Sequence, residues 1–199
     1  MRATKTANTK AHIIASTAAI FNEKGYAGTS ITDITRATRL TSGSIYGNFA
    51  NKEAVALAAF DYNLAHFREV VQREVDKCRT TTEKLFMYIN AYHSSAKLNF
   101  PRGGCPMQNA LTDADDTLES LRKKAADGIL RWKQDLTDII NTGIREGVFY
   151  SEIRAEKTAV RILALIEFAF LIHSAQKNRK LTDQILENAL EVAQEIVKI

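Results

Sequence analysis

Proline is scarce in this sequence: of 199 residues only Pro101 and Pro106 are proline, and both fall in residues 99–107, which also hold Gly103 and Gly104. Long stretches on either side are therefore free of the strongest helix breaker, and this segment is the main interruption of the chain. Cysteine is equally rare. Cys78 and Cys105 are too few and too far apart for a disulfide framework, and they read as thiols of a reducing, cytoplasmic compartment. The basic N-terminus has no apolar core or small-residue cleavage site, so no signal peptide is expected. The longest apolar run, residues 159–172, is interrupted by Arg161 and Glu167 and falls short of a bilayer span, so no membrane is expected either. Alternating β-branched runs joined by hairpin turns are missing too, whereas apolar residues recur at helical spacing almost throughout. The expected fold class is all-α.

The net charge of +4 is small, but it is unevenly placed. Residues 1–60 hold seven basic side chains (Arg2, Lys5, Lys10, Lys24, Arg36, Arg39, Lys52) against three acidic ones (Glu23, Asp33, Glu53), and the remainder balances at twenty of each. The excess lies where an electrostatic footprint for phosphates would lie if this end bound nucleic acid.

Local signals divide the same end into short helices. A first helix buries Ile13, Ile14, Thr17, Ala18, Ile20 and Phe21 and ends at Gly25, expected in a left-handed C′ position. Ser30 and Asp33 form an S-x-x-D capping box for a helix over 31–38. A turn, Arg39-Leu40-Thr41, leads to a third helix capped by Thr41 or Ser42 and running to Asn48, and Asn51 caps a fourth over 52–77. Two short helices joined by a tight turn make a helix-turn-helix. Further helices are expected over 82–98, near 107–111, from 113–116 to a close at Gly143 and Gly147, over 155–176 and over 182–197. The helix over 155–176 is apolar around most of its circumference, so it must be covered on more than one side.

Ala18-x-x-Phe21, then Gly25-Tyr26-Ala27-Gly28-Thr29-Ser30-Ile31-x-Asp33-Ile34, then Gly43-Ser44-Ile45-Tyr46-x-Asn48-Phe49-x-x-Lys52-Glu53 resemble the DNA-binding domain of the TetR/AcrR family of transcriptional regulators. The resemblance covers the first quarter of the chain. It implies a helix-turn-helix domain over 1–51 and a larger helical ligand-binding and dimerisation domain over 52–199. In such a regulator, more often a repressor, a small molecule entering the second domain moves the helix that starts at Lys52 and so changes the spacing of two recognition helices.

Each matched residue has a physical reading. Thr29 and Ser30 stand at a helix N-terminus, where hydroxyls and free N–H groups suit a phosphate, although plain capping would use the same groups. Tyr46, Asn48 and Lys52 are placed to grip the sugar-phosphate backbone in the manner the family implies. Thr41, Ser42, Gly43 and Ser44, on the first turn of the third helix, are expected to enter the major groove and read bases. Leu40, Ile34, Ile45 and Phe49 are expected to be core. Two positions depart from the family pattern: Arg39 stands where glycine is common, at some backbone cost but with a cation toward DNA, and Gly47 replaces a longer side chain.

The expected partners are a double-stranded inverted-repeat operator, a second copy of the chain paired through the last two helices, and a small apolar or aromatic ligand. Candidate ligand residues are Phe86, Tyr92, His93, Phe100, Cys105, Met107, Gln108, Trp132 and Phe168, with Tyr88 on the same helix; most of these would equally serve as core. His12, His66, His93 and His173 lack ligand spacing, no glycine-rich phosphate loop is present and no nucleophile–base pair can be named, so catalysis, a metal and a cofactor are not expected. Two other readings stay open. A helical interaction protein would leave the ordered run from Gly28 to Phe49 unexplained, and a redox-responsive regulator would depend on Cys105, which has no adjacent cation or partner cysteine.

Overall fold

The computed structural model describes residues 5–93, 101–113, 118–176 and 179–198. Among the described residues there are nine helices: α1 (Lys5–Gly28), α2 (Ile31–Thr38), α3 (Ser42–Tyr46), α4 (Lys52–Val75), α5 (Thr81–His93), α6 (Pro106–Asp113), α7 (Glu119–Arg145), α8 (Ala155–Gln176) and α9 (Arg179–Gln194). An isolated antiparallel bridge pairs Phe149 with Val197. These residues group into two compact units, one within Met1–Phe67 and Pro101–Ala126, the other within Arg68–Phe100 and Asp127–Ile199.

The first unit is built on a core of Ile13, Ala18, Phe21, Ile34, Ile45, Val55, Ala56 and Ala59, with Tyr26, Ile31, Leu40 and Phe49 packed against it. Ile13, Ile34 and Ile45 are completely buried, each burial favouring the fold by about 1.5–3 kcal/mol. That burial matters because α2 and α3, at 8 and 5 residues, are too short to persist alone. Their ends are held by side chains. Ser30 Oγ accepts from the Asp33 amide at 3.1 Å while the Asp33 carboxylate accepts from the Ser30 amide at 3.0 Å, closing the expected box. Thr41 caps α3 by accepting from the Ser44 amide at 3.2 Å, and Asn51 caps α4 by accepting from the Ala54 amide at 2.8 Å. The third helix stops at Tyr46 instead of Asn48 because its last turn tightens: the Asn48 amide donates to the Ile45 carbonyl, one residue nearer than the α-helical partner.

Gly25 interrupts α1, but not as a left-handed cap. Its φ of 75° and ψ of 175° lie in a region open essentially to glycine alone, and one more helical turn follows to Gly28. Asp113, expected to open the long helix, instead closes α6, and α7 starts at Glu119. The expected end of α5 at Leu98 lies outside the described residues.

In the second unit α8 packs along α9, and α9 along α5. Ile162, Leu163, Ile166, Ala169 and Phe170 of α8 are buried, as are Ile185, Leu186, Ala189, Val192 and Ala193 of α9. Helix α8 is longer than the apolar run within it, and its length and composition would suffice to cross a membrane; run length alone is thus no argument against a span. Gly147, with φ of 74°, ends α7 as expected, and the amides of Val148 and Phe149 return to the Gly143 carbonyl. Gly143 itself lies inside the helix. The buried Phe149 ring rests on it so closely that an added Cβ would stand 2.2 Å from Cδ2.

Candidate nucleic-acid interface

The turn between α2 and α3 is made by Arg39, whose φ of 56° and ψ of 28° are left-handed. It is the only non-glycine residue with positive φ among the described residues, and its side chain is exposed. A left-handed arginine costs about 1 kcal/mol or more relative to glycine, so a cation is held there at the expense of backbone comfort. Thr41, Ser42 and Gly43 are exposed and Ser44 half-buried. The first turn of α3 therefore presents hydroxyls and a bare backbone, while Ile45 on its other face is sunk in the core. Tyr46 is 49% exposed. Asn48 is half-buried and donates to the Ser44 carbonyl at 2.9 Å, which fixes the end of α3.

Four of the expected phosphate contacts have internal partners: Asn48, Ser30, whose hydroxyl donates to the Asp33 carboxylate at 2.7 Å, Thr29 and Lys52. Thr29 is fully buried, and its hydroxyl donates to the Gly25 carbonyl at 2.6 Å, so only Ser30 of the pair faces solvent. The Lys52 ammonium donates to the carbonyls of Tyr26 at 2.9 Å and Thr29 at 3.0 Å and lies 4.1 Å from the centre of the Tyr26 ring. Two of its three N–H groups thus close the end of α1, which the sequence pattern alone does not reveal.

Charge around the face is ordered by Asp33. The Ser30 hydroxyl, the Ser30 amide and then the Lys24 ammonium hold its carboxyl well below the usual carboxylate range. Lys24 lies 3.0 Å from it and Arg36 3.8 Å. His12, not singled out by spacing, places Nε2 2.8 Å from the Thr38 carbonyl and ties α1 to the end of α2.

The candidate ligand residues are not gathered within either unit. Cys105, Met107 and Gln108 belong to the first; Phe86, Tyr92, Trp132 and Phe168 belong to the second. Phe100 and the side chain of His93 lie outside the described residues. Tyr92 and Trp132 do meet, with ring centroids 5.0 Å apart, and Tyr92 also stacks edge-on with Phe170 at 5.7 Å. Phe170 thus takes the place expected for Phe168, which is 49% exposed: two residues along a helix is a turn of about 200°, to the opposite face. Tyr88 is buried in the same cluster, and burial, aided by the Asp135 carboxylate, raises its phenol strongly. A cleft in the first unit is lined by Phe21, Tyr26, Phe60, Pro106, Asp113 and Leu121 among others, and by none of the candidate ligand residues. Cys105 is 1% exposed. No group of three metal-ligating side chains occurs among the described residues.

A capped pair of short helices with a polar, exposed second helix defines a helix-turn-helix DNA-binding protein. Residues 13–59 match the model of the bacterial regulatory proteins of the tetR family, and residues 81–189 match the tetracyclin repressor-like C-terminal domain. A crystal structure of a TetR-family transcriptional regulator from Cytophaga hutchinsonii is 46% identical, with a TM-score of 0.94 over 100% of both chains. An uncharacterised HTH-type transcriptional regulator of Lactococcus lactis subsp. lactis is 28% identical over 120 residues, 58% of this chain and 60% of that relative's length. The HTH-type transcriptional repressor DhaR of Mycobacterium sp. (strain GP1) is 20% identical over 180 residues, covering 90% of this chain and 89% of that one. The chain belongs to the TetR family, and it is a DNA-binding transcriptional regulator.

Proposed function

We propose that the protein is a cytoplasmic repressor that binds an inverted-repeat operator as a homodimer and is released from it by a small molecule. The observation that carries this reading is the first turn of α3, with Thr41, Ser42 and Gly43 exposed and Ser44 at its edge beside the left-handed Arg39. Ser42, Gly43 and Ser44 read base edges, Thr41 caps the helix while facing the groove, and Arg39, Tyr46 and Ser30 face phosphates. Lys52 offers its remaining N–H to the backbone, and Asn48 acts by holding α3 in shape. Hydroxyls discriminate bases less sharply than arginine does, so DNA shape contributes to the choice of site. The repressor DhaR is a regulator of the same kind over most of this chain's length.

For the dimer, the support is a stripe on α8. Val160, Ala164, Phe168, Leu171 and Ala175 follow one another at intervals of three or four residues and are all exposed, whereas the opposite stripe is core. An inverted-repeat operator would require the two α3 helices of such a dimer to lie about 34–36 Å apart, one turn of duplex, or a multiple of it. Tyr92, Trp132 and Phe170 mark the aromatic region of the second unit where an apolar ligand would have to insert.

Selection from random duplexes tests the first part: an enriched inverted repeat is expected, and enrichment of nothing removes sequence-specific regulation. A thermal-shift screen of small aromatic compounds, followed by competition with the selected duplex, tests the second. A compound that stabilises the protein and leaves duplex affinity unchanged would show that binding and release are not coupled.

A further inference from the structure

In an unbroken helix the Tyr26 amide would donate to the Asn22 carbonyl, four residues back. The break at Gly25 parts them and leaves both without that partner. Helix α6 supplies a replacement for each. The Asp113 carboxylate accepts from the Tyr26 amide, and the Asn109 side-chain amide donates to the Asn22 carbonyl at 3.0 Å. The segment before α6 completes the contact. The Asn22 side-chain amide donates to the carbonyls of Arg102 at 2.6 Å and Gly104 at 3.1 Å, Asn109 also donates to the Gly103 carbonyl at 2.8 Å, and Arg102 pairs with Glu23 at 3.0 Å.

Glycine is required on both sides of this joint. A Cβ on Gly25 would stand 2.6 Å from Asp113 Oδ1, and one on Gly103 would stand 2.8 Å from the Asn22 carbonyl oxygen; both residues also have positive φ, 75° and 93°. The break in α1 therefore works as a socket for α6: it exposes two strong backbone groups that only a matched acceptor and donor satisfy.

We propose that Asn109 and Asp113 are positioning residues for operator binding, because the broken end of α1, bonded to α6, sets the attitude at which the helix-turn-helix is presented to DNA. This rests on the reading of a dimeric operator binder. In such a dimer an inverted repeat is bound tightly only if both heads are held at one spacing, whereas random duplex needs no fixed spacing.

The test compares full-length Asp113→Asn, Asn109→Ala and the pair with the parent protein. Asp113→Asn keeps the shape and an acceptor oxygen, so it guards against simple misfolding. Affinities are measured for the operator selected by the parent protein and for a random duplex of equal length, with helix content and melting followed by circular dichroism. The expected result is a fall in operator affinity of at least tenfold for the pair, with random-duplex affinity within about twofold and helix content unchanged. Unchanged affinity for both duplexes overturns the proposal. So does an equal fall for both, since the contact would then only hold the head together. If the parent protein selects no operator, the dimeric operator reading fails first, which distinguishes the two failures.

Discussion

Replacing Lys52 with alanine separates the two roles its position allows. In the free protein the ammonium donates to the carbonyls of Tyr26 and Thr29 at 2.9 and 3.0 Å, the groups left open where α1 ends, and lies over the Tyr26 ring. Hydrogen bonds to a charged group are worth about 1.5–3 kcal/mol each, and a partly exposed cation–π contact about 0.5–1. Lys52 is only half-buried and water can reach the carbonyls once it is gone, so values below the low end of these ranges apply. Lys52→Ala should therefore cost about 2 kcal/mol of stability in the first unit. Lys52→Met, which keeps the stem, should lose nearly as much. Urea unfolding followed by circular dichroism reads the loss. Trp132 lies in the other unit, so its fluorescence is a control that should change little. In parallel, if the third N–H reaches a phosphate, the salt dependence of duplex binding flattens by about one unit for specific and random DNA alike. An unfolding midpoint unchanged in both variants would refute the internal role and leave Lys52 as a DNA contact alone.

Three further outcomes follow from the geometry. Phe168→Glu or Leu171→Glu, on the exposed stripe of α8, should give a monomer by light scattering at micromolar concentration and abolish inverted-repeat binding; a dimer of unchanged size would move the interface elsewhere. Gly143→Ala has no room beside Phe149, so overpacking should cost about 1–3 kcal/mol, and an equal or higher melting temperature would contradict the packing. Asp33 has a depressed folded pKa, so its contribution is fully present above the unfolded carboxylate value near 3.9 and is lost as pH falls below it toward the folded value. Below about pH 4 the stability difference between the parent and Asp33→Asn should shrink with acid, and a difference independent of pH would show that the carboxylate charge is not what holds the start of α2.

Much of the DNA-binding end was legible because its signals are local. Ser30 with Asp33, Thr41 before α3 and Asn51 before α4 announce themselves within three or four residues, since a cap satisfies amides of its own helix. The cost of Arg39 was legible too, as a side chain where a left-handed residue was needed. What the sequence hid was non-local. Lys52 reaches back 26 residues to Tyr26, and Asn109 and Asp113 reach back 87 to Asn22 and Tyr26. Nothing in the spacing of these residues sets them apart from solvated polar side chains. Phe168 and Phe170 show the same limit inside a helix that is apolar on nearly every face: with no polar side to mark the outside, periodicity cannot choose between two phenylalanines two residues apart.

The backbone groups opened around Gly25 tie the DNA-binding end to residues well beyond α3. The hydrophobic core beneath α2 and α3 already draws on Val55, Ala56 and Ala59 of α4. The polar groups opened at the end of α1 draw on Thr29 and Lys52 on one side and on Asn109 and Asp113 on the other. Asn63 of α4 also donates to the Ala18 carbonyl at 2.8 Å, Ser120 donates to Glu53 at 2.7 Å and Lys124 pairs with Asp61 at 2.8 Å. A segment ending near residue 51 would lose part of its core and leave carbonyls and amides of α1 without partners, each loss comparable to the few kcal/mol that a small domain has to spare. The helix-turn-helix therefore gains its shape from residues some sixty positions beyond it, which group with it in one compact unit.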